Sequence, residues 1–194
     1  MVLPASICVF CGSRRGRDPA MARAAAALGR LLGENGIRLV YGAGGIGLMD
    51  VVAQAALDAG GQVTGVMPRH LATRELIKQG LTELHVVDSM HDRKRMMFDL
   101  SDAFIALPGG IGTLEETVEI LSWRQLGIHD KPVLLLNVGG AWGHFAALMR
   151  DRADAGFCAE SDLDLYEIVD DVQHVLAALG NARPPTIHPF TDWT

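Results

Sequence analysis

Short apolar runs closed by glycine or proline alternate along this chain with longer, alanine- and leucine-rich stretches. The runs at 6–10, 37–41, 62–67, 84–87, 103–107 and 132–137 have the pattern of strands buried on both faces. Between them the spacing predicts helices over 19–35, 48–59, 90–100, 113–126 and 141–155. Pro19 sits where a helix can begin, and Asn35-Gly36 and Gly60-Gly61 read as helix stops. Residues 68–80 carry mixed signals and are expected to form a loop with a short helix. A last short strand at 164–168 and a final helix running from Asp170, its expected N-cap, to about 179 complete the pattern. This alternation predicts an α/β fold: a Rossmann-like, doubly wound parallel sheet with helices on both faces and right-handed crossovers. No repeat, low-complexity segment or clear linker divides the chain, so residues 1–180 are expected to be one domain and 181–194 a proline-rich, extended tail.

One stretch organises the rest: Asp102-Ala-Phe-Ile-Ala-Leu-Pro-Gly-Gly-Ile-Gly-Thr-Leu-Glu-Glu116. Its strand, expected to be the central one, stops at Pro108, which has no amide hydrogen to give a sheet. Gly109, Gly110 and Gly112 permit close approach of another group. Thr113 is a good N-cap candidate, with Glu115 and Glu116 expected in the first turn that follows. Glycine loop and helix N-terminus together offer unpaired amides and partial positive charge, which suits a phosphate. The unusual feature is that carboxylates stand beside it.

In an open parallel sheet the ligand crevice lies at the carboxyl ends of the strands. The loops at 11–16, 42–47 and 108–112 all leave strand ends and can converge there, so Gly12, Ser13, Gly44, Gly45 and Gly109 are expected to face a ligand. Gly42-Ala-Gly-Gly-Ile-Gly47 resembles a dinucleotide fingerprint only by displacement, and no acidic residue closes the third strand to hold a ribose. A ligand-facing loop and a tight packing turn are its two readings. Neither glycine loop is followed by Lys-Ser or Lys-Thr, which excludes a P-loop.

Met90-His-Asp-Arg-Lys94 opens a helix, and a cation pair there is electrostatically misplaced, because the macrodipole favours anions. Solvated surface charge and a cationic pocket for an anionic substrate compete as explanations. The helix starts at the functional edge of the sheet, which favours the pocket for Arg93. Glu115 and Glu116 point about 100° apart on a helix, and Glu119 follows one turn on. Three carboxylates in five positions exceed what a helix start needs, so at least one is assigned to chemistry or hydroxyl recognition.

Composition narrows the function. The chain has 194 residues, 49% of them hydrophobic, and a formal net charge of −6. That charge argues against a general nucleic-acid or anionic-membrane binder but leaves room for a local basic pocket. Cys8, Cys11 and Cys158 lack metal-ligand spacing, and the Cys8-x-x-Cys11 pair lies in a strand and its exit rather than opening a helix. Reduced thiols are the expectation. Seven scattered histidines make no H-x-x-x-H spacing, which argues against a metal site. There is no leader-like N-terminal pattern and no run of about 18 apolar residues, so a cytoplasmic protein is expected.

Pro108-Gly-Gly-Ile-Gly-Thr-Leu-Glu-Glu116 resembles the P-G-G-x-G-T-x-x-E motif of the "lonely guy" (LOG) family, and Met90-His-Asp-Arg-Lys94 resembles its companion motif. Val9-Phe-Cys-Gly-Ser13, Val40-Tyr-Gly-Ala-Gly-Gly45, Gly47-Leu-Met49 and Trp123-Arg-Gln-Leu-Gly-Ile-His-Asp-Lys-Pro132 agree with it, over roughly residues 5–180. The family comprises cytokinin riboside 5′-monophosphate phosphoribohydrolases, many once labelled lysine decarboxylases. The resemblance implies a homodimer that hydrolyses the N-glycosidic bond of an (N6-substituted) adenosine 5′-monophosphate, giving free base and ribose 5-phosphate without metal or nicotinamide. It implies Arg93 and Glu116 as the catalytic pair. It implies Glu75, Lys94, Gly110, Ile111, Gly112, Thr113, Leu114, Glu115 and Ser122 as substrate contacts. Ile111, Ala43 and Asp50 depart from the family pattern, where an aromatic residue, a glycine and a glycine are common.

Three function classes follow: a nucleotide phosphoribohydrolase, a non-catalytic nucleoside-monophosphate-binding protein, and another small-molecule enzyme on the same scaffold. Carboxylates beside a phosphate loop favour the first. Breaking the C1′–N9 bond develops positive charge on the ribose, and Glu116 is assigned to stabilise it or to activate water. Arginine stays protonated and is a poor general acid, so the sequence names no proton donor for the departing base.

Overall fold

The computed structural model describes residues 3–72 and 77–184. Glu75 and the tail from 185 onward lie outside the described residues. Seven strands form one all-parallel sheet: β1 (Ser6–Phe10), β2 (Arg38–Tyr41), β3 (Val63–Pro68), β4 (Glu83–Val87), β5 (Ala103–Ala106), β6 (Val133–Leu136) and β7 (Glu167–Val169). Their order across the sheet is β4-β3-β2-β1-β5-β6-β7. The helices are α1 (Pro19–Glu34), α2 (Gly47–Asp58), α3 (Arg69–Ala72), α4 (Met90–Asp99), α5 (Ile111–Gln125), α6 (Gly143–Asp154) and α7 (Val175–Asn181). The expected doubly wound α/β architecture is the observed one.

The period of two along each strand divides the core into two layers. Ile7 and Val9 of β1 and Ile105 of β5 pack with Leu28 and Leu32 of α1, Val52 and Ala56 of α2, and Val175 of α7. Cys8 and Phe10, with Phe104 and Leu135, face the other way onto Met97 and Phe98 of α4 and Ile120 and Leu121 of α5. Helices on both faces explain why the strands read as continuous apolar runs rather than alternating ones.

Strand order reverses between β1 and β5, because the chain winds outward from β1 to β4 and then returns to β1's other side. Such a switch point opens a crevice at the carboxyl ends of the two strands. The chain's middle strand is therefore β1, and β5, expected at the centre, lies one place off it.

Other corrections are local. The last strand begins at Glu167 instead of 164, because Glu160–Leu165 coils into 3-10 turns in which Asp162 accepts a hydrogen bond from the Ala159 amide. Asp170 is not the cap of the final helix: it accepts from Asn137 Nδ2, while Asp171 accepts from the Gln173 amide and α7 starts at Val175. The helix expected from 141 starts at Gly143, after a short 3-10 turn over Val138–Gly140.

Candidate active site

The exit loops of β1 and β5 are joined directly. Gly12 at the end of β1 donates its amide to the Pro108 carbonyl at 3.2 Å, and its own carbonyl accepts from Leu48 in the first turn of α2 at 3.0 Å. The β1 loop is thus wedged between the glycine loop and α2. That wedge depends on Gly47, which has φ +66° and where a Cβ would overlap the Ser13 carbonyl group. A cleft of about 620 Å³ opens where these loops meet, in the range of small-ligand sites.

The glycine loop does more than the sequence implied. Helix α5 starts at Ile111, two residues before the expected Thr113, with Gly110 as its extended N-cap and no side chain capping it. The first-turn amides of Ile111, Gly112 and Thr113 therefore have no partner within the helix, and they border the cleft. Thr113 is not the N-cap but is buried at the third helical position, its carbonyl accepting from Thr117 Oγ1. Glu115 and Glu116 move accordingly into the second turn. No acid remains in the first turn, so nothing there repels an anion.

Arg93 and Glu116 meet at the floor of the cleft. Ser89 caps α4, accepting from the Asp92 amide, and puts Arg93 one turn in. Its Nε donates to the Val66 carbonyl at 3.2 Å and its Nη2 to the Gly42 carbonyl at 3.4 Å. Nη1 is left to face Glu116 Oε1 at 3.4 Å, with only 10% and 12% of the two side chains exposed. Burial raises the Glu116 carboxyl to about 7, and the opposing pull of the Arg93 guanidinium does not cancel it. A carboxyl poised there exchanges its proton near neutral pH.

Of the expected site residues, Gly12, Ser13, Arg93, Gly109, Gly110, Ile111, Gly112, Thr113 and Glu116 border the cleft. Lys94, Leu114, Glu115, Ser122, Gly44 and Gly45 do not. Lys94 Nζ binds Glu115 Oε1 at 2.5 Å and Glu119 Oε1 at 2.9 Å, a second ion cluster between α4 and α5 beside the Arg93–Glu116 pair. Burial alone would lower the Lys94 pKa, but its bonds to Glu115 and Glu119 outweigh that and raise it. Leu114 and Ser122 lie on the exposed side of α5. Gly44 pairs with Ile77, and Lys78 donates to the Ala43 carbonyl, so this loop is covered by the segment at 77–78. Ala43 holds φ +62° at the position where the family pattern has glycine.

The sequence points to the loop at 11–16 but singles out only Gly12 and Ser13 from it; Cys11, Arg14 and Arg15 border the cleft as well, and so do Arg17, Met21, Leu48 and Met49. Three arginines in four positions was the available signal, masked by the chain's acidic total. Cys8 and Cys11 are free and buried, face opposite layers of the core, and have thiol pKa values raised by burial. Among the described residues no group of three His, Cys, Asp or Glu could hold a metal ion. The Trp123–Pro132 segment lies away from the cleft: Arg124 donates to the Leu165 and Arg183 carbonyls, and His129 bonds the Ile120 carbonyl, fixing the end of α5.

An all-parallel sheet with an amide cradle and a buried carboxylate at its switch point defines a Rossmann-like α/β protein equipped to receive an anionic ligand. The solved molybdenum cofactor carrier protein of Chlamydomonas reinhardtii shares this fold, with a TM-score of 0.70 and 23% identity over 91% of this chain and 96% of that one. Residues 49–179 match the family described as "Possible lysine decarboxylase". The chain is 50% identical over 178 residues to cytokinin riboside 5′-monophosphate phosphoribohydrolase LOG3 of Arabidopsis thaliana, covering 92% of this chain and 83% of that protein. It is 43% identical over 177 residues to the cytokinin riboside 5′-monophosphate phosphoribohydrolase of Rhodococcoides fascians, covering 91% and 89%. The chain belongs to this family, the LOG family.

Proposed function

We propose that this protein is a nucleoside 5′-monophosphate phosphoribohydrolase that cleaves the N-glycosidic bond of adenosine 5′-monophosphates, N6-substituted ones included, to free base and ribose 5-phosphate. The observation that carries the reading is the pairing, in one cleft, of unpartnered α5 amides with a buried carboxyl whose pKa is about 7. Kinship with enzymes named for this reaction supports it.

The 5′-phosphate sits on the amides of Ile111, Gly112 and Thr113, where the dipole of α5 favours negative charge. The C1′–N9 bond breaks with its electron pair leaving on the base, and positive charge develops on the ribose. Ionised Glu116 stabilises that charge and accepts a proton from the water whose oxygen bonds C1′. Arg93, held by two backbone carbonyls, keeps enough positive charge beside Glu116 for the carboxylate to form despite its burial. The base takes up a proton, and the permanently charged Arg93 is not its source.

The decarboxylase description of the family implies pyridoxal phosphate held by a lysine, and the residues present do not fit it. The chain has three lysines. Lys78 is bound by Asp50, Lys94 by Glu115 and Glu119, and Lys131 by the Phe98 carbonyl, and none borders the cleft.

A homodimer acting in the cytoplasm completes the proposal. Ile111, Leu114, Val118 and Leu126 form an exposed apolar stripe along α5 at helical spacing, which a second copy would cover. No helix among the described residues is long and apolar enough to cross a membrane.

The deciding experiment is free-base release, without added metal, from AMP, GMP, CMP, adenosine and N6-isopentenyl-AMP. Release of adenine-type base from monophosphates but not from adenosine is expected. Binding of monophosphates with no base released would overturn the enzyme reading in favour of a binding protein.

A further inference from the structure

The cleft holds more positive charge than a monophosphate cradle requires. Arg14, Arg15 and Arg17 line it in addition to Arg93, and among the described residues only the carboxylates Asp18 and Glu116 stand against them, in a chain whose formal charge is −6. Asp18 is already committed, as its Oδ1 accepts from the Ala20 amide to cap α1. Glu116 is committed to Arg93. None of the three loop arginines makes a side-chain hydrogen bond or ion pair among the described residues, and all three are exposed.

Fold stability does not explain them. They immediately precede the N-terminus of α1, where the helix dipole disfavours cations and favours anions. Three like charges within four positions also repel one another. Arg15 also borders the groove between α1 and α2, which Arg30 and the carboxylates Glu34, Asp50 and Asp58 line, but among the described residues it forms no ion pair with any of them. Their position is set by a contact already described. The loop that carries them starts at Gly12, whose amide is bonded to the Pro108 carbonyl at the edge of the glycine loop. The arginine loop and the α5 amides therefore open side by side on one volume. A phosphate on the amides would have the arginines as its neighbours on the solvent side, and arginine forks match phosphate oxygens well.

We propose that the Arg14–Arg17 loop is a second phosphate subsite of this cleft, which takes the β-phosphate of a nucleoside 5′-diphosphate. The proposal rests on the reading of the cleft as a nucleotide site, and extends its ligands from one phosphate to two contiguous ones.

The test uses inorganic pyrophosphate and orthophosphate as probes, with affinities measured by calorimetry at constant ionic strength without divalent cations. The proteins are the full chain, the variant R14Q/R15Q/R17Q, and the control R95Q/R150Q/R152Q, which removes equal charge outside the cleft. Pyrophosphate is expected to bind the unmodified protein at least tenfold tighter than orthophosphate. The loop variant should lose most of that preference, and the control should keep it. Equal affinity for the two probes, or an equal loss in the control, overturns the subsite. Base release from AMP, run alongside, separates the two claims. Release without a pyrophosphate preference sinks the subsite alone. A pyrophosphate preference without release sinks the hydrolase reading and leaves the subsite standing.

Discussion

Arg93 reaches Glu116 with one nitrogen because the others are occupied by the backbone: Nε by the Val66 carbonyl and Nη2 by the Gly42 carbonyl. The guanidinium is therefore a fixed charge built into the ends of β2 and β3, not a mobile surface cation. Glu116 is buried against it, and its tendency to lose a proton is the balance of two opposed effects, burial raising its pKa and Arg93 lowering it.

Glu116→Gln keeps the size of the side chain and removes the charge that the proposed transition state needs. Turnover should fall by about 10²–10⁴-fold, the usual worth of a positioned acid–base group. The dissociation constant for a nucleoside monophosphate, measured by calorimetry, should change by less than about threefold, because that contact is assigned to the α5 amides. Turnover within a factor of a few of the unmodified protein would remove Glu116 from the mechanism.

The pH profile of turnover should carry a limb near pH 7, rising with pH, since the ionised form of Glu116 is the active one and its pKa is about 7. Arg93 lowers that pKa, so Arg93→Gln should move the limb to higher pH as well as reduce the rate. A limb that stays in place in this variant would show that the titrating group is not Glu116.

Stability carries the same signature. The Glu116 pKa is raised on folding, so its contribution is fully present below the ordinary carboxyl range near 4.5 and is lost as pH rises through about 7. The unfolding free energy of Glu116→Gln minus that of the unmodified protein should therefore increase between pH 4.5 and 8, by on the order of 3 kcal/mol at most. Urea titrations at several pH values measure it. A flat difference would contradict the burial of the charge.

Gly42 tests the backbone seat of Arg93. A Cβ at this position would overlap Arg93 Nη2, and the three atoms nearest to it all belong to the Arg93 side chain, so it would push the guanidinium off its carbonyl seat. Gly42→Ala should thus reduce turnover by more than tenfold while its urea midpoint shifts little. Loss of stability in proportion to activity would make Gly42 a packing residue only.

The fold was legible because its signals are local. The apolar run at 6–10, the Pro19 start and the stop at Asn35-Gly36 each mark an element from neighbouring residues alone, and β1 and α1 fall where they predict. Boundaries failed where two local signals competed. Thr113 is a good cap by type, but Gly110 takes the extended cap conformation and the helix starts earlier. Asp170 is a good cap by type, but Asn137, on a different strand end, engages it, and Asp171 accepts from the Gln173 amide instead.

By itself, the sequence determined the alternation of strands and helices, the glycine loop that ends in a helix, and the presence of Arg93 and Glu116 near the functional edge, since each depends on residue type and short spacing. Only the tertiary structure decided which charges share the cleft. Arg93 and Lys94 are adjacent, as are Glu115 and Glu116, and nothing local says which partner each chooses. The 100° step along a helix sends Arg93 and Glu116 inward, where burial sets the carboxyl's pKa, and Lys94 and Glu115 into a separate cluster. The same holds for the arginines at 14–17, since nothing along the chain says what their side chains face. They become a feature of the site because β1 and β5, nearly a hundred residues apart, lie side by side in the sheet.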